Sequence, residues 1–183
     1  MHIIVHGGAG GVPDEPEPRQ AVLDDAAEAG ARQNDPVDAV EAAINVLEAD
    51  DRFNAGYGGA VQSDGAVRTD AGVLTSDRET GAVASMDGVQ DAVSAARVVM
   101  EETPHIFIAG EHAVDLAGEF GVETDVELLT PETREEYADE EPPTAGPKAH
   151  LDWLEERFGG HDTVGAVAFD DGAFAAVLCA LSV

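Results

Sequence analysis

The sequence predicts an α/β layered fold, and three observations carry that prediction. Short apolar runs with strand character stand at both ends of the chain, at residues 2–6 and again at 163–169 and 173–181. Segments whose apolar residues recur at helical spacing lie between them. The third is composition: 44% apolar residues in a chain of 183 supply a core for one domain. Strand regions flanking helices, closed by a hairpin, arrange themselves as layers of sheet and helix.

The first run, His2-Ile3-Ile4-Val5-His6, reads as a buried strand, and Gly7-Gly8-Ala9-Gly10-Gly11 follows it at once. That loop is either a tight turn or a place where the backbone approaches a ligand closely. It lacks the spacing of a dinucleotide fingerprint, and no Gly-Lys-Ser/Thr follows to make a phosphate loop. Residues 12–18 mix Pro, Asp and Glu and read as an exposed loop. A helix is expected from Arg19 to about Gln33, with Ala21, Val22, Ala26, Ala29 and Gly30 on one face and Asn34 ending it. Asp35 then caps a second helix with Pro36 at its first position. Val37, Val40, Ala43, Ile44 and Leu47 form its apolar stripe, to about Ala49.

After the glycine-rich loop at 53–59, Ala66 to Leu74 and Ala82 to Met86 read as short strands. Asp70, inside the first, is either a hydrogen-bonding turn residue or a reacting carboxylate. Asp91 caps a helix from about Ala92 to Glu102, which Thr103-Pro104 stops. His105 to Ala109 reads as a short buried strand, and Glu111 to Phe120 as a helix ended by Gly121. Residues 122–147 are acidic and proline-bearing. They read as a poorly ordered linker with one helical turn or two at Glu132 to Ala138. A last helix, Lys148 to Phe158, carries Trp153. Thr163 opens a buried strand, and after Asp170-Asp171-Gly172 the run Ala173 to Leu181 pairs with it as a hairpin. A strand as apolar as 173–181 is expected to be covered on both faces.

Charge is the outlier. There are 38 acidic against 9 basic residues, a formal net charge of −29, and Lys148 is the only lysine. No basic strip exists to neutralise phosphates or anionic lipid, so neither nucleic acid nor a membrane surface is an expected partner. The acid is spread along the chain. It reads as the coat of a folded halophilic protein, kept soluble at high salt. Cys179 is the only cysteine, so no internal disulfide forms. The start, MHIIVHGGAG, resembles neither a signal peptide nor a membrane span, which makes cytoplasmic the expected location.

Two readings of Thr163 stand side by side. It is a β-branched residue opening a strand, or it is a nucleophile exposed by cleavage of the chain before it. A small-ligand site at Gly7–Gly11 is a further option. The choice is narrowed by four blocks of sequence. Ile4 to Gly10 is similar to the first strand and loop of the plant-type asparaginase / isoaspartyl peptidase family, among the N-terminal-nucleophile hydrolases. Phe53-Asn54-Ala55-Gly56 and Thr69-Asp70-Ala71 resemble that family's second block. Ala92 to His105, with Ile108-Ala109-Gly110-Glu111, resembles its third. Gly160-His161-Asp162-Thr163-Val164-Gly165-Ala166-Val167-Ala168 matches its cleavage site. The blocks occur in the family's order and span almost the whole chain.

The resemblance implies an αββα four-layer sandwich, incomplete at the C-terminus. It implies self-cleavage between Asp162 and Thr163, and hydrolysis of asparagine or β-aspartyl peptides by the freed Thr163. Residues 1–162 then correspond to an α-subunit-like part and 163–183 to the start of a β-subunit-like part, all within a single domain. Asn54 becomes the neighbour of the nucleophile, beside the alternative of an Asx turn before Gly56. The loop from Asp51 to Tyr57 corresponds to a segment that holds a structural sodium through backbone carbonyls; no other cofactor or metal is implied. Expected partners are a small-molecule or dipeptide substrate and a second copy or a complementing chain. The glycosylasparaginase branch also uses His-Asp-Thr, but Gly165-Ala166-Val167-Ala168 leans toward the isoaspartyl branch.

One departure stands out. After Ala175-Ala176 the family continues Thr-Ser-Thr-Gly-Gly, whereas this sequence continues Val177-Leu178-Cys179-Ala180-Leu181-Ser182-Val183. The family's second threonine, its substrate-gripping Arg and Asp and its Thr-Gly oxyanion hole have no counterpart here. A piece starting at Thr163 holds 21 residues. Because oxyanion donors alone are worth about 10²–10³ in rate, the chain by itself is expected to be inactive or nearly so. The alternative from another class is a non-catalytic remnant or interaction module.

Overall fold

The structure, a computed structural model, describes residues 1–9, 13, 15–158 and 163–181. Strands β1 (His2–His6), β2 (Arg68–Thr75), β3 (Thr80–Asp87), β4 (Ile108–Ala109), β5 (Thr163–Asp170) and β6 (Ala173–Leu181) form one sheet in the order β1-β5-β6-β2-β3-β4. Every pairing is antiparallel except β3 with β4. The helices are α1 (Pro16–Ala31), α2 (Pro36–Glu48), α3 (Ala92–Glu102), α4 (Glu111–Glu119), α5 (Pro131–Ala138) and α6 (Pro147–Phe158). The mixed α/β class expected from the sequence is therefore present.

Local chemistry explains the helix starts. Asp35 caps α2 as expected, its Oδ1 accepting the Val37 N–H at 2.8 Å, with Pro36 in the first turn. α1 begins at Pro16, three residues before the expected Arg19, because proline is tolerated where a helix N–H has no partner anyway. Asp91 stands before α3 but its side chain makes no capping bond. A free N–H of that first turn, on Val93, goes instead to Glu48 Oε1 at 3.1 Å.

One face of the sheet packs on the helices. Alternate residues Ala71 and Val73 of β2, Val164, Ala166 and Ala168 of β5, and Ala175, Val177 and Cys179 of β6 are buried. They meet Val40, Ile44 and Leu47 of α2 and Val93 and Val99 of α3. Small residues permit close approach: a Cβ at Gly81 would overlap the Ala96 carbonyl and lie 2.5 Å from Met100 N, both rigid backbone of α3. Gly81→Ala is expected to cost about 3 kcal/mol by forcing β3 off α3, as urea titrations of the two proteins will show.

The other face is open. Ile4, Leu74, Val167, Phe169, Phe174 and Leu178 are 40 to 76% exposed. The register places them together: Ile4 opposite Val167, Phe169 opposite Phe174, and Leu74 opposite Ala176, next to Leu178. Strands 163–169 and 173–181, expected to be buried, are thus buried on one side only, because α1, α2 and α3 pack against one face. Residues 2–6, also expected to be buried, are exposed on the open side and half-buried on the other. A second correction concerns residues 105–109. Only Ile108–Ala109 pair, and Ile106 and Phe107 lie 69% and 57% exposed. Thr103 Oγ1 accepts the His105 N–H at 3.1 Å, which bends the chain after α3 and leaves two residues for the sheet edge.

The acidic segment 122–147 is fastened at several points. Leu128 is buried with Val61 and Val67, and Val126, Leu129 and Tyr137 pack around them. The Leu128 carbonyl accepts the Gly58 N–H at 2.8 Å, and Tyr137 Oη donates to the Ser63 carbonyl at 3.1 Å. Among the described residues, no helix is long and apolar enough to cross a membrane.

Candidate active site

Thr163 is the first residue of β5 and is partly exposed. It pairs with Ala180, which in turn pairs with Asp70, so the three share one rung across β5, β6 and β2. Residues two apart along β5, Gly165, Val167 and Phe169, lie on the open face, and the strand period puts Thr163 there with them. Asp162, the other half of the expected cleavage bond, lies outside the described residues, as do His161, Gly10 and Gly11.

The strand register brings the glycine loop to the same end. β1 runs antiparallel to β5 and ends with His6 opposite Gly165, so the Gly7 turn leaves the sheet at the end of β5 that Thr163 opens. Gly7 packs on the loop after α2: a Cβ there would sit 2.6 Å from a Phe53 ring carbon, so a larger residue would have to displace that ring. Asn54 follows Phe53 at φ 44°, a left-handed conformation that asparagine tolerates better than most residues. Gly7, Gly8, Arg19, Arg52, Phe53 and Asn54 line a cleft of about 470 Å³. Arg52 is held by Asp50 at 2.8 Å, and Arg19 Nη1 donates to the Arg52 carbonyl. The Gly7 turn and the Asn54 loop, separate in sequence, are thus packed together. The Asn54 loop reaches the Thr163 strand pair through Ala55, whose carbonyl accepts from Cys179 Sγ at 3.5 Å; Cys179 pairs with Val164.

Asp70 resolves toward hydrogen bonding. Its Oδ1 accepts the Ser85 N–H at 2.7 Å, where β2 and β3 slip register between Thr69 and Ala71 and Ser85 adopts φ 56°. It stands two strands from Thr163, about 10 Å at ordinary strand spacing.

Glu48, in the last turn of α2, is the residue that sequence analysis passed over. It is fully buried; its Oε1 accepts both the Val93 N–H at 3.1 Å and the Cys179 thiol at 3.1 Å, while Oε2 has no hydrogen-bond partner. Burial pushes its pKa from 4.5 up to about 8, with the negative charge of Asp91 adding to the rise; the bonds from Cys179 and Val93 pull the other way. The carboxyl is therefore protonated at neutral pH. Cys179 is pushed above the ordinary thiol range, first by burial and then by Glu48. A signal was available: Glu48 follows Ile44 by four residues, which places it on the buried stripe.

Among the described residues, no group of three or more His, Cys, Asp or Glu side chains is placed to hold a metal ion. The larger cleft, about 750 Å³, lies farther along the same end of the sheet and is lined by Asp87, Glu111, Asp115 and Asp125 with Arg68. Arg68 is occupied by Asp64 at 2.9 Å and holds that carboxyl below its usual range.

The described residues thus form a helix-backed α/β sheet in which Thr163 opens β5. The asparaginase family model matches residues 1–179. The chain is 39% identical to a plant-type L-asparaginase of Pyrobaculum calidifontis over 187 residues, covering 95% of this chain and 60% of that protein. It is 39% identical to the plant-type L-asparaginase of Pyrococcus abyssi, covering 92% and 59%. It is 34% identical to an isoaspartyl peptidase/L-asparaginase of Rattus norvegicus, covering 92% and 51%. The chain belongs to the asparaginase family, in its plant-type and isoaspartyl peptidase branch. It spans between half and three-fifths of the length of these relatives.

Proposed function

We propose that this chain is an asparaginase / isoaspartyl peptidase precursor that cleaves itself between Asp162 and Thr163. The observation that carries this is the strand register, which sets Thr163 at the end of the sheet where the Gly7 turn and the Asn54 loop pack. In the cleavage, Thr163 Oγ attacks the Asp162 carbonyl carbon and the peptide C–N bond breaks. The hydroxyl proton passes to the departing nitrogen, leaving an ester. Water hydrolyses the ester to a carboxylate on Asp162 and restores the hydroxyl. The new α-amine of Thr163, with an ordinary pKa of about 7.7–8, is then the base that takes the hydroxyl proton during turnover. The substrate is asparagine or a β-aspartyl peptide. Mass spectrometry after incubation tests the cleavage: fragments 1–162 and 163–183 support it, and a permanently uncut chain favours a non-catalytic remnant. Ammonia release from asparagine tests turnover, which is expected to be weak for this chain alone.

The open sheet face supports the four-layer αββα sandwich. We propose that a second sheet covers Ile4, Val167, Phe169, Phe174 and Leu178, supplied by the polypeptide that corresponds to the remaining length of the relatives. Exposed apolar patches of this kind mark interfaces. In its absence the chain is expected to bind a hydrophobic dye, and the double change Val167→Thr, Leu178→Thr to lower that fluorescence about twofold or more. Unchanged fluorescence would count against the interface.

Two further expectations belong with this function. The acidic coat supports a halophilic, cytoplasmic protein; melting temperature is expected to rise from low to molar KCl, and a flat response would remove the halophilic assignment. By the family resemblance, the loop from Asp51 to Tyr57 is proposed to hold a structural sodium through main-chain carbonyls. No other cofactor is proposed.

A further inference from the structure

We propose that Glu48 is a positioning residue for Thr163, clamping the strand rung beside it to the loop that carries Asn54. This rests on Thr163 being the nucleophile. Four segments meet at Glu48. Its Oε1 accepts the Val93 N–H at the start of α3 and the Cys179 thiol of β6, each at 3.1 Å. Its main-chain carbonyl accepts the Tyr57 N–H at 2.8 Å, closing the loop that contains Asn54. A Cβ on Gly56 would lie 2.6 Å from that carbonyl, so the loop lies directly against the end of α2. Cys179 pairs with Val164, the residue after Thr163, and its Sγ also reaches the Ala55 carbonyl at 3.5 Å. The line from Asn54 through Ala55, Cys179 and Val164 to Thr163 therefore passes through Cys179, which Glu48 holds directly.

The cost of this arrangement argues that it does more than fill space. A fully buried carboxyl with one oxygen lacking a hydrogen-bond partner is less stable than an apolar side chain of the same size would be. What an apolar residue cannot do is accept two hydrogen bonds from different elements at one point. The charged group that acts on this carboxyl is Asp91, at the start of α3; Asp70, on β2, acts only at longer range on Cys179. The clamp itself works through acceptance of hydrogen bonds and needs no change of protonation.

Four variants separate clamping from bulk packing. Glu48→Gln keeps the accepting oxygen; Glu48→Leu keeps the volume and loses it. Cys179→Ser keeps the donor, and Cys179→Val loses it. Glu48→Leu and Cys179→Val are expected to fold, by circular dichroism, yet to self-cleave about 10–100-fold more slowly, since a misplacement near 1 Å costs about that much. Glu48→Gln and Cys179→Ser are expected to stay within about threefold of the parent. A second readout needs no cleavage: in Thr163→Ala chains, the rate at which an aromatic disulfide reagent modifies Cys179 reports local opening of this rung. Glu48→Leu is expected to raise that rate about tenfold without lowering global melting, and Glu48→Gln to leave the rate alone. Folded Glu48→Leu protein with parental cleavage and parental thiol reactivity overturns the clamp. A parent chain that never cleaves, with thiol reactivity behaving as expected, overturns the nucleophile reading of Thr163 and keeps the clamp as a structural one.

Discussion

Thr163→Ala is expected to leave the chain as a single 18.9 kDa species under conditions in which the parent divides after residue 162. The reason is chemical rather than steric. Alanine keeps the strand and removes the only atom able to attack the Asp162 carbonyl from the following residue. Removing an essential nucleophile costs at least about 10³-fold in comparable enzymes, enough to abolish cleavage on any practical timescale. Thr163→Ser keeps the oxygen and loses the β-branch that restricts χ1, so cleavage is expected to persist at a lower rate. The fold is not at stake: Thr163 is the partly exposed first residue of β5, and seven further rungs hold β5 to β6. Electrophoresis and intact-mass measurement over several days decide it. Cleavage of Thr163→Ala at the parental rate would end the self-processing proposal.

Glu48→Gln is expected to make the protein more stable at neutral pH and no more stable near pH 4.5. The carboxyl has a pKa of 4.5 when unfolded and about 8 when folded. Below pH 4.5 both states hold the proton. Between 4.5 and 8 the unfolded state loses it while the folded state keeps it, so the contribution to stability falls steadily as pH rises. At pH 7 the loss amounts to about 3 kcal/mol. Glutamine keeps an oxygen for the Val93 N–H and has no proton to lose. The many surface carboxylates, which also respond to pH, are common to both proteins and cancel in the comparison. Urea unfolding from pH 4.5 to 8 is the measurement; parallel stability curves for the two proteins would show that Glu48 does not titrate as its burial demands.

Much of the fold was legible because its signals are local. The α2 cap at Asp35, the helix at Ala92–Glu102 and the hairpin around Asp170-Asp171-Gly172 follow from side chains acting on backbone within a few residues. Residues 105–109 misled because an apolar run looks the same whether it lies in a sheet or turns at its edge. At the site, Thr163 and Asn54 could be named from sequence blocks, and Asp70 could be narrowed to two roles. Glu48 was missed because a glutamate is read as surface unless its helical position is checked against the apolar stripe.

By itself, then, the sequence determined the α/β class, the excess of acidic residues and the family, since each depends on composition or on short ordered motifs. Only the tertiary structure decided which strand lies beside which. Antiparallel register ends β1 opposite Gly165, puts Ala180 level with Thr163 and carries Asp70 two strands away, and no local pattern encodes register between residues so distant in the chain. The same is true of burial. Strand alternation says that two faces differ, but which face meets helices, and which is left open with Phe169 and Leu178 exposed, follows from where α1, α2 and α3 pack.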